Sequence, residues 1–175
     1  MSRADPAAAA ATGDADADAT RDAVAFILAS TRQRPQTRAE LVGKLRSRGI
    51  PPPVAHAALG AAESLGAVDD EAFARAWVRD RGHARGYGVA RLRLELRRRL
   101  VPDHVAEDAL RVLDDRDEYA VVTELARERT RGLDPSLAPD VVARRLTAYL
   151  GRRGHPPALC RRVALQVSGL DREWD

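Results

Sequence analysis

The sequence predicts an all-α fold: three tandem three-helix repeats forming an elongated, curved array. Three observations carry that expectation. Of the 175 residues 45% are hydrophobic, yet aromatics are only 4%, so the core is built mainly from Leu, Val and Ala. Those residues favour helix over sheet. Apolar residues recur at spacings of three and four, the helical period. A pattern of apolar and turn residues also returns along the chain at fixed offsets, as in a repeat protein.

Residues 1–19 are mostly alanine and aspartate with nothing large to bury, and read as a disordered tail. A first helix is expected over about 21–32, opened by Thr20 as N-cap and carrying Val24, Ile27 and Leu28. Pro35 ends it. Thr37 starts the next helix, with Glu40 at capping-box spacing and Leu41 and Leu45 on one face. Gly49 terminates it and Pro51-Pro52-Pro53 presets a third. Val54, Ala58, Ala61 and Leu65 are expected to line that third helix up to Gly66.

A fourth helix over 70–81 opens with Asp69, Asp70 and Glu71, which suit the positive end of a helix dipole. Phe73 and Trp77 sit four apart, so both are expected in the core. After Gly82, Gly86 and Gly88 a fifth helix puts Val89, Leu92, Leu96 and Leu100 on one stripe. Leu41, Leu45, Ile50, Pro51, Val54, Ala58 and Leu59 map onto Leu92, Leu96, Val101, Pro102, Val105, Ala109 and Leu110. A further, weaker copy places Leu146, Leu150, Gly154, His155, Leu159 and Val163 on Leu41, Leu45, Gly49, Ile50, Val54 and Ala58. Modules are therefore expected at 20–68, 69–114 and 115–168, the last opening with a helix over 115–131, followed by a short tail at 169–175. A fifty-residue module is marginal alone, so neighbours must pack together.

Arginine dominates the charge: of 29 basic residues only Lys44 is lysine, and the net charge is +3. Arginine meets phosphate or carboxylate with a planar fork. Charge comes in blocks. Residues 30–48 carry six bases and one acid, 103–128 nine acids and three arginines, and 141–162 six arginines and no acid. Such alternation fits a partner of mixed charge, for instance protein holding nucleic acid, or acidic and basic helices that pair within the array. Nine arginines lie between Arg75 and Arg99 against Asp80 and Glu95. The surface expected to face a partner or DNA comprises Arg75, Arg79, Arg91, Arg93, Arg97 and Arg98, with Arg144, Arg152 and Arg153 in the third module. Reversing Arg93 and Arg97 is expected to weaken partner binding and leave the helix intact.

No catalytic constellation emerges. His56, His83, His104 and His155 are scattered without metal-ligand spacing, so no metal or cofactor is expected. Cys160, the only cysteine, falls among apolar residues and reads as a small buried hydrophobe. The acids at 69–71 read as caps rather than metal ligands. Gly86-Tyr87-Gly88 lacks a preceding strand and the phosphate-loop spacing, and reads as a flexible inter-helix loop with an exposed or half-buried tyrosine. With no run of eighteen apolar residues no transmembrane helix is expected, and a single cysteine suits a reducing cytoplasm.

These residues resemble the RecX family, bacterial regulators of the RecA recombinase. The likeness lies in Arg38-Ala39-Glu40-Leu41, Lys44-Leu45 and Arg48-Gly49-Ile50. It continues through Leu65-Gly66-Ala67-Val68-Asp69-Asp70-Glu71-Ala72-Phe73-Ala74, Trp77-Val78-Arg79, Gly86-Tyr87-Gly88 and Arg91-Leu92-Arg93-Leu94-Glu95-Leu96, and ends in Tyr149-Leu150-Gly151-Arg152-Arg153-Gly154-His155. It covers about residues 22–165. The resemblance implies a cytoplasmic, cofactor-free, non-enzymatic protein that binds in the groove of the RecA–DNA filament. It implies restraint of ATP hydrolysis and strand exchange in recombination, DNA repair and the SOS response. The partner is then the RecA nucleoprotein filament, with direct contact to single- or double-stranded DNA, no membrane and a monomeric chain. The competing reading is a sequence-nonspecific DNA-binding protein of helix-turn-helix type. The chain has no Asn and only Gln33, Gln36 and Gln166, few of the side chains that read base edges.

Overall fold

Local signals in the sequence set most helix boundaries. In the computed structural model, which describes residues 6–171 and the side chains of 15–171, nine α-helices run with no strand among the described residues. They are α1 (Pro6–Gln33), α2 (Arg38–Ser47), α3 (Pro52–Ser64), α4 (Asp70–Val78), α5 (Val89–Arg98), α6 (Asp103–Leu110), α7 (Glu118–Arg131), α8 (Pro139–Arg152) and α9 (Pro157–Ser168). A π-helical segment, Arg79–Ala84, continues α4, and a 3₁₀ turn, Arg111–Leu113, continues α6.

Thr37 caps α2 through the expected box: its hydroxyl accepts from the Glu40 amide at 3.2 Å while its own amide donates to the Glu40 carboxylate at 3.3 Å. Asp69 caps α4 by accepting from the Ala72 amide at 2.8 Å. Asp70 turns back to accept from the Arg38 amide at 2.8 Å, so one acidic pair serves two helix starts.

The three-helix pattern is visible in the backbone. Pro51, Pro102 and Pro156 precede α3, α6 and α9 with nearly the same angles: φ −59, −55 and −57, ψ 144, 140 and 133. The residues closing α2, α5 and α8 all enter the left-handed region: Gly49 at φ 74, Leu100 at φ 58 and Gly154 at φ 86.

The described chain divides into two compact units, residues up to 73 with 99–101, and residues 74–98 with those from 102 onward. In the first, α1 packs on α3 and α2 on α3. Its core gathers Ala23, Ile27, Leu41, Leu45, Leu59 and Val68 with several alanines. In the second, α7, α8 and α9 enclose Val122, Ala126, Leu146, Leu150, Cys160 and Val163.

Four expectations are corrected. The tail at 1–19 is helical from Pro6 onward, because its alanines carry the highest helix propensity; residues 1–5 lie outside the described residues. Residues 172–175 of the C-terminal tail also lie outside them. Ala61 and Leu65 are exposed, and Ala55, Ala58, Leu59 and Ala62 form the inner face of α3 instead. Leu100 lies beyond α5 and is 60% exposed rather than on its buried stripe, since a left-handed residue turns the chain away. Trp77 is half-buried, because Ala74 and Val78 take the innermost track of α4 beside Phe73.

Candidate functional site

The basic stretch 75–99 sorts itself by partner. The helix α4 hands over to the π segment at Arg79, which re-aims the arginines that follow. Arg81 lies flat over the Trp77 ring, its guanidinium carbon 3.5 Å from the ring centre, and its Nε meets Glu95 at 3.0 Å. Trp77 donates its indole N–H to the same carboxylate at 3.1 Å. Arg91, one turn before Glu95 on α5, completes the set at 2.9 Å and covers Tyr87 at 3.9 Å. Glu95 thus gathers two arginines and a tryptophan.

Arg93 makes a fork with Glu107, at 2.5 and 2.8 Å, and Arg97 meets Asp103 at 3.1 Å. The hydrogen bond to Glu107 raises the Arg93 guanidinium above its ordinary value, and that from Arg93 holds the Glu107 carboxyl below its own. Arg85 pairs with Asp80 at 3.2 Å, and Arg99 with Glu40 at 3.0 Å. Arg153 donates to the Arg85 carbonyl at 2.5 Å and lies over Tyr149 and Tyr87. Arg75 is exposed and has its own contacts. Arg79, Arg98, Arg144 and Arg152 are exposed side chains without an ion-pair partner among the described residues.

Two of these four come together. The first turns of α5 meet the turn between α8 and α9 at backbone distance: the Gly88 amide donates to the Arg153 carbonyl at 2.8 Å, and a Cβ on Gly88 would stand 2.3 Å from the Gly154 oxygen. Arg91 also donates to the Arg152 carbonyl at 3.2 Å. This seam leaves a shallow groove of about 330 Å³. Leu94, 49% exposed, Ala90, Gly151 and Gly154 line it together with Arg98 and Arg152. The groove therefore offers two uncompensated guanidinium groups beside a small apolar floor, an arrangement that takes a phosphodiester or a carboxylate next to a flat apolar group.

Behind the seam lies a node that the sequence did not announce. His155 is 4% exposed, and each ring nitrogen faces an acceptor: Nδ1 the Glu118 carboxylate at 2.6 Å and Nε2 the Gly86 carbonyl at 3.0 Å. Arg116 holds the same carboxylate and donates to the carbonyls of Gly82 at 2.8 Å and Tyr87 at 3.2 Å. Burial pushes the Glu118 carboxyl up, but the hydrogen bonds from His155 and Arg116 outweigh it and hold it below its ordinary value. The node ties α7 and the α8–α9 turn to the loop 82–88, which makes that loop a fixed strut. The available signal was a histidine at a repeat position where the other copies carry Ile50 and Val101. Cys160, beside it, is buried, its thiol is pushed up by burial, and it donates to the His155 carbonyl at 3.5 Å. His56, His83 and His104 are exposed.

Comparison with known proteins places the chain in a family. The family model described as RecX, second three-helix domain, matches residues 69–110, the segment running from the Asp69 cap through α6. The crystal structure of RecX from Lactobacillus salivarius shares the fold, with a TM-score of 0.71 at 21% identity over 89% of this chain and 98% of that one. The regulatory protein RecX of Mycobacterium sp. strain KMS is 38% identical over 168 residues, covering 91% of this chain and 90% of the relative. The regulatory protein RecX of Streptomyces lividans is 35% identical over 167 residues, covering 92% and 87%. Identity of that order across nearly the full length of both chains, on a shared all-α repeat fold, means that this chain belongs to the RecX family of regulatory proteins.

Proposed function

We propose that this protein is a negative modulator of RecA that binds the RecA–DNA filament and restrains its ATP hydrolysis and strand exchange in recombination, repair and the SOS response. It acts as a monomeric cytoplasmic binding protein, without catalysis or cofactor. The observation that supports this reading is the sorting of the arginines. Most of those on α5 are neutralised internally, by Glu95, Glu107 and Asp103, and the uncompensated pair Arg98 and Arg152 is confined to one groove with an apolar floor. A coat for bare DNA needs an extended basic face; a mixed surface with a local cationic groove suits protein and phosphate presented together. Several weak contacts linked in one chain raise avidity by about 10²–10⁴ when their spacing matches the partner.

The test is a titration of this protein into RecA hydrolysing ATP on single-stranded DNA, with and without an excess of unrelated single-stranded DNA. Inhibition that survives the competitor and is lost on replacing Arg98 and Arg152 with Glu supports filament binding. Inhibition that falls in proportion to free competitor makes the protein a sequence-nonspecific DNA binder of helix-turn-helix type.

A further inference from the structure

The repeat supplies an internal control for each groove between paired helices. In the second copy the helices α5 and α6 are laced by Arg93–Glu107 and Arg97–Asp103. Counting back by the repeat offset, the same four places between α2 and α3 hold Val42, His56, Arg46 and Pro52. Neither ion pair can form there. What remains is an open groove of about 280 Å³, lined by Val42, Ile50, Ala55 and Leu59 together with Arg46 and His56. Val42 is 39% exposed in it, and Arg46 has no ion-pair partner among the described residues. The third basic group of the groove, Arg38, is drawn to Glu63 at 2.7 Å.

We propose that this groove is a docking site for an acidic segment of a protein partner, an extended or helical stretch with an aliphatic side chain flanked by carboxylates. The aliphatic group covers Val42, Ile50 and Leu59. A carboxylate takes the place at Arg46 that Asp103 holds at Arg97, 3.1 Å away in the second copy, and another meets His56 or Arg38. Charge selects this occupant: the groove's lining holds Arg38, Arg46 and His56 and no carboxylate, within a stretch, 30–48, that carries six bases against Glu40. A nucleic-acid strand would meet the rim but leave the aliphatic floor wet, whereas an acidic-aliphatic peptide satisfies both. This site is distinct from the Arg98–Arg152 groove and stands without the filament reading.

The experiment uses the full ¹⁵N-labelled chain and the blocked peptide acetyl-Glu-Asp-Leu-Glu-Glu-Leu-Asp-Glu-amide, followed by amide shifts in a two-dimensional NMR titration up to about 1 mM. Shifts should centre on Val42, Arg46, Ile50 and His56. Arg46→Glu should weaken binding at least tenfold. Val42→Arg combined with His56→Glu writes the Arg93–Glu107 pair into the first copy, and should close the groove and abolish binding with the melting temperature kept. The idea is overturned if no shift reaches these residues, if replacing both peptide leucines with serine leaves affinity unchanged, or if the closed variant binds like the native chain. It is overturned equally if a seven-nucleotide thymidine oligomer, whose six phosphodiesters match the peptide's six carboxylates, displaces the peptide from them, since the groove is then a phosphate site. Should the closed variant not fold, the single change at Arg46, on an exposed side chain, decides. RecA is absent from the assay, so either result leaves the filament proposal untouched.

Discussion

Leu100 is the one non-glycine residue at positive φ among those described, at the place where the other two copies carry Gly49 and Gly154. A left-handed L-residue costs roughly 1–2 kcal/mol, and a side chain 60% exposed recovers little of that by burial. Leu100→Gly should therefore stabilise the protein by about 1 kcal/mol, read as a rise in the urea midpoint with an unchanged slope. At Glu118 the sign is opposite. Its carboxyl sits below the ordinary value of 4.5, so the folded state favours the charged form. The stability this contributes is complete above about pH 4.5 and is lost as pH falls through the lower folded value. Asp70 works the other way, because burial raises its carboxyl and favours the neutral form. Glu118→Gln leaves the buried Arg116 without its counter-charge and takes from His155 its carboxylate partner, and should cost on the order of 3 kcal/mol at neutral pH. The variant should lose less than the native chain between pH 6 and pH 3 in the same urea assay; an equal loss would remove Glu118 as the acid-sensitive group.

Among elements, the seam between α5 and the α8–α9 turn is set by backbone proximity. A Cβ on Gly88 meets Gly154 backbone atoms at 2.3 to 2.5 Å, and no side-chain rotation relieves that. Gly88→Ala should cost more than about 3 kcal/mol and broaden the resonances of the 82–88 loop. Gly43 in α2 and Gly60 in α3 have open space where a Cβ would go, so their change to alanine should stabilise by about 0.5–1 kcal/mol each. One set of thermal melts checks all three, and a mild Gly88→Ala would mean the seam is soft.

Over the whole molecule, 29 basic and 26 acidic residues leave a net charge of only +3, and much of that charge is spent on itself. Affinity for bare duplex should depend on the arginines that have no acid partner among the described residues, Arg98 and Arg152 among them. Arg98→Glu with Arg152→Glu should reduce the slope of log affinity against log salt by about 2, with the melting temperature unchanged. Arg93→Glu with Arg97→Glu should instead lower the melting temperature, because each new acid would face Glu107 or Asp103. If the second pair proves as stable as the native chain, its interhelix bridges carry no structural weight and both arginines are available to the expected partner-facing surface.

Helix class, the Thr37 box, the Asp69 cap and the proline-led helix starts after Pro51 and Pro102 follow from the sequence because each depends on residues a few positions apart. The alternating charge blocks were equally legible. Which arginines remain available was not, since that depends on acids brought in from a different helix: Glu107 and Asp103 from α6, Glu95 from across the π segment. The His155–Glu118 node lay hidden for the same reason, joining residues thirty-seven positions apart that only the packing of α7 against α9 and its preceding turn brings to 2.6 Å. Local chemistry names the helices; the neutralisation of one helix's charge by another is decided only when the helices meet, because a Coulomb interaction acts through space and is indifferent to distance along the chain.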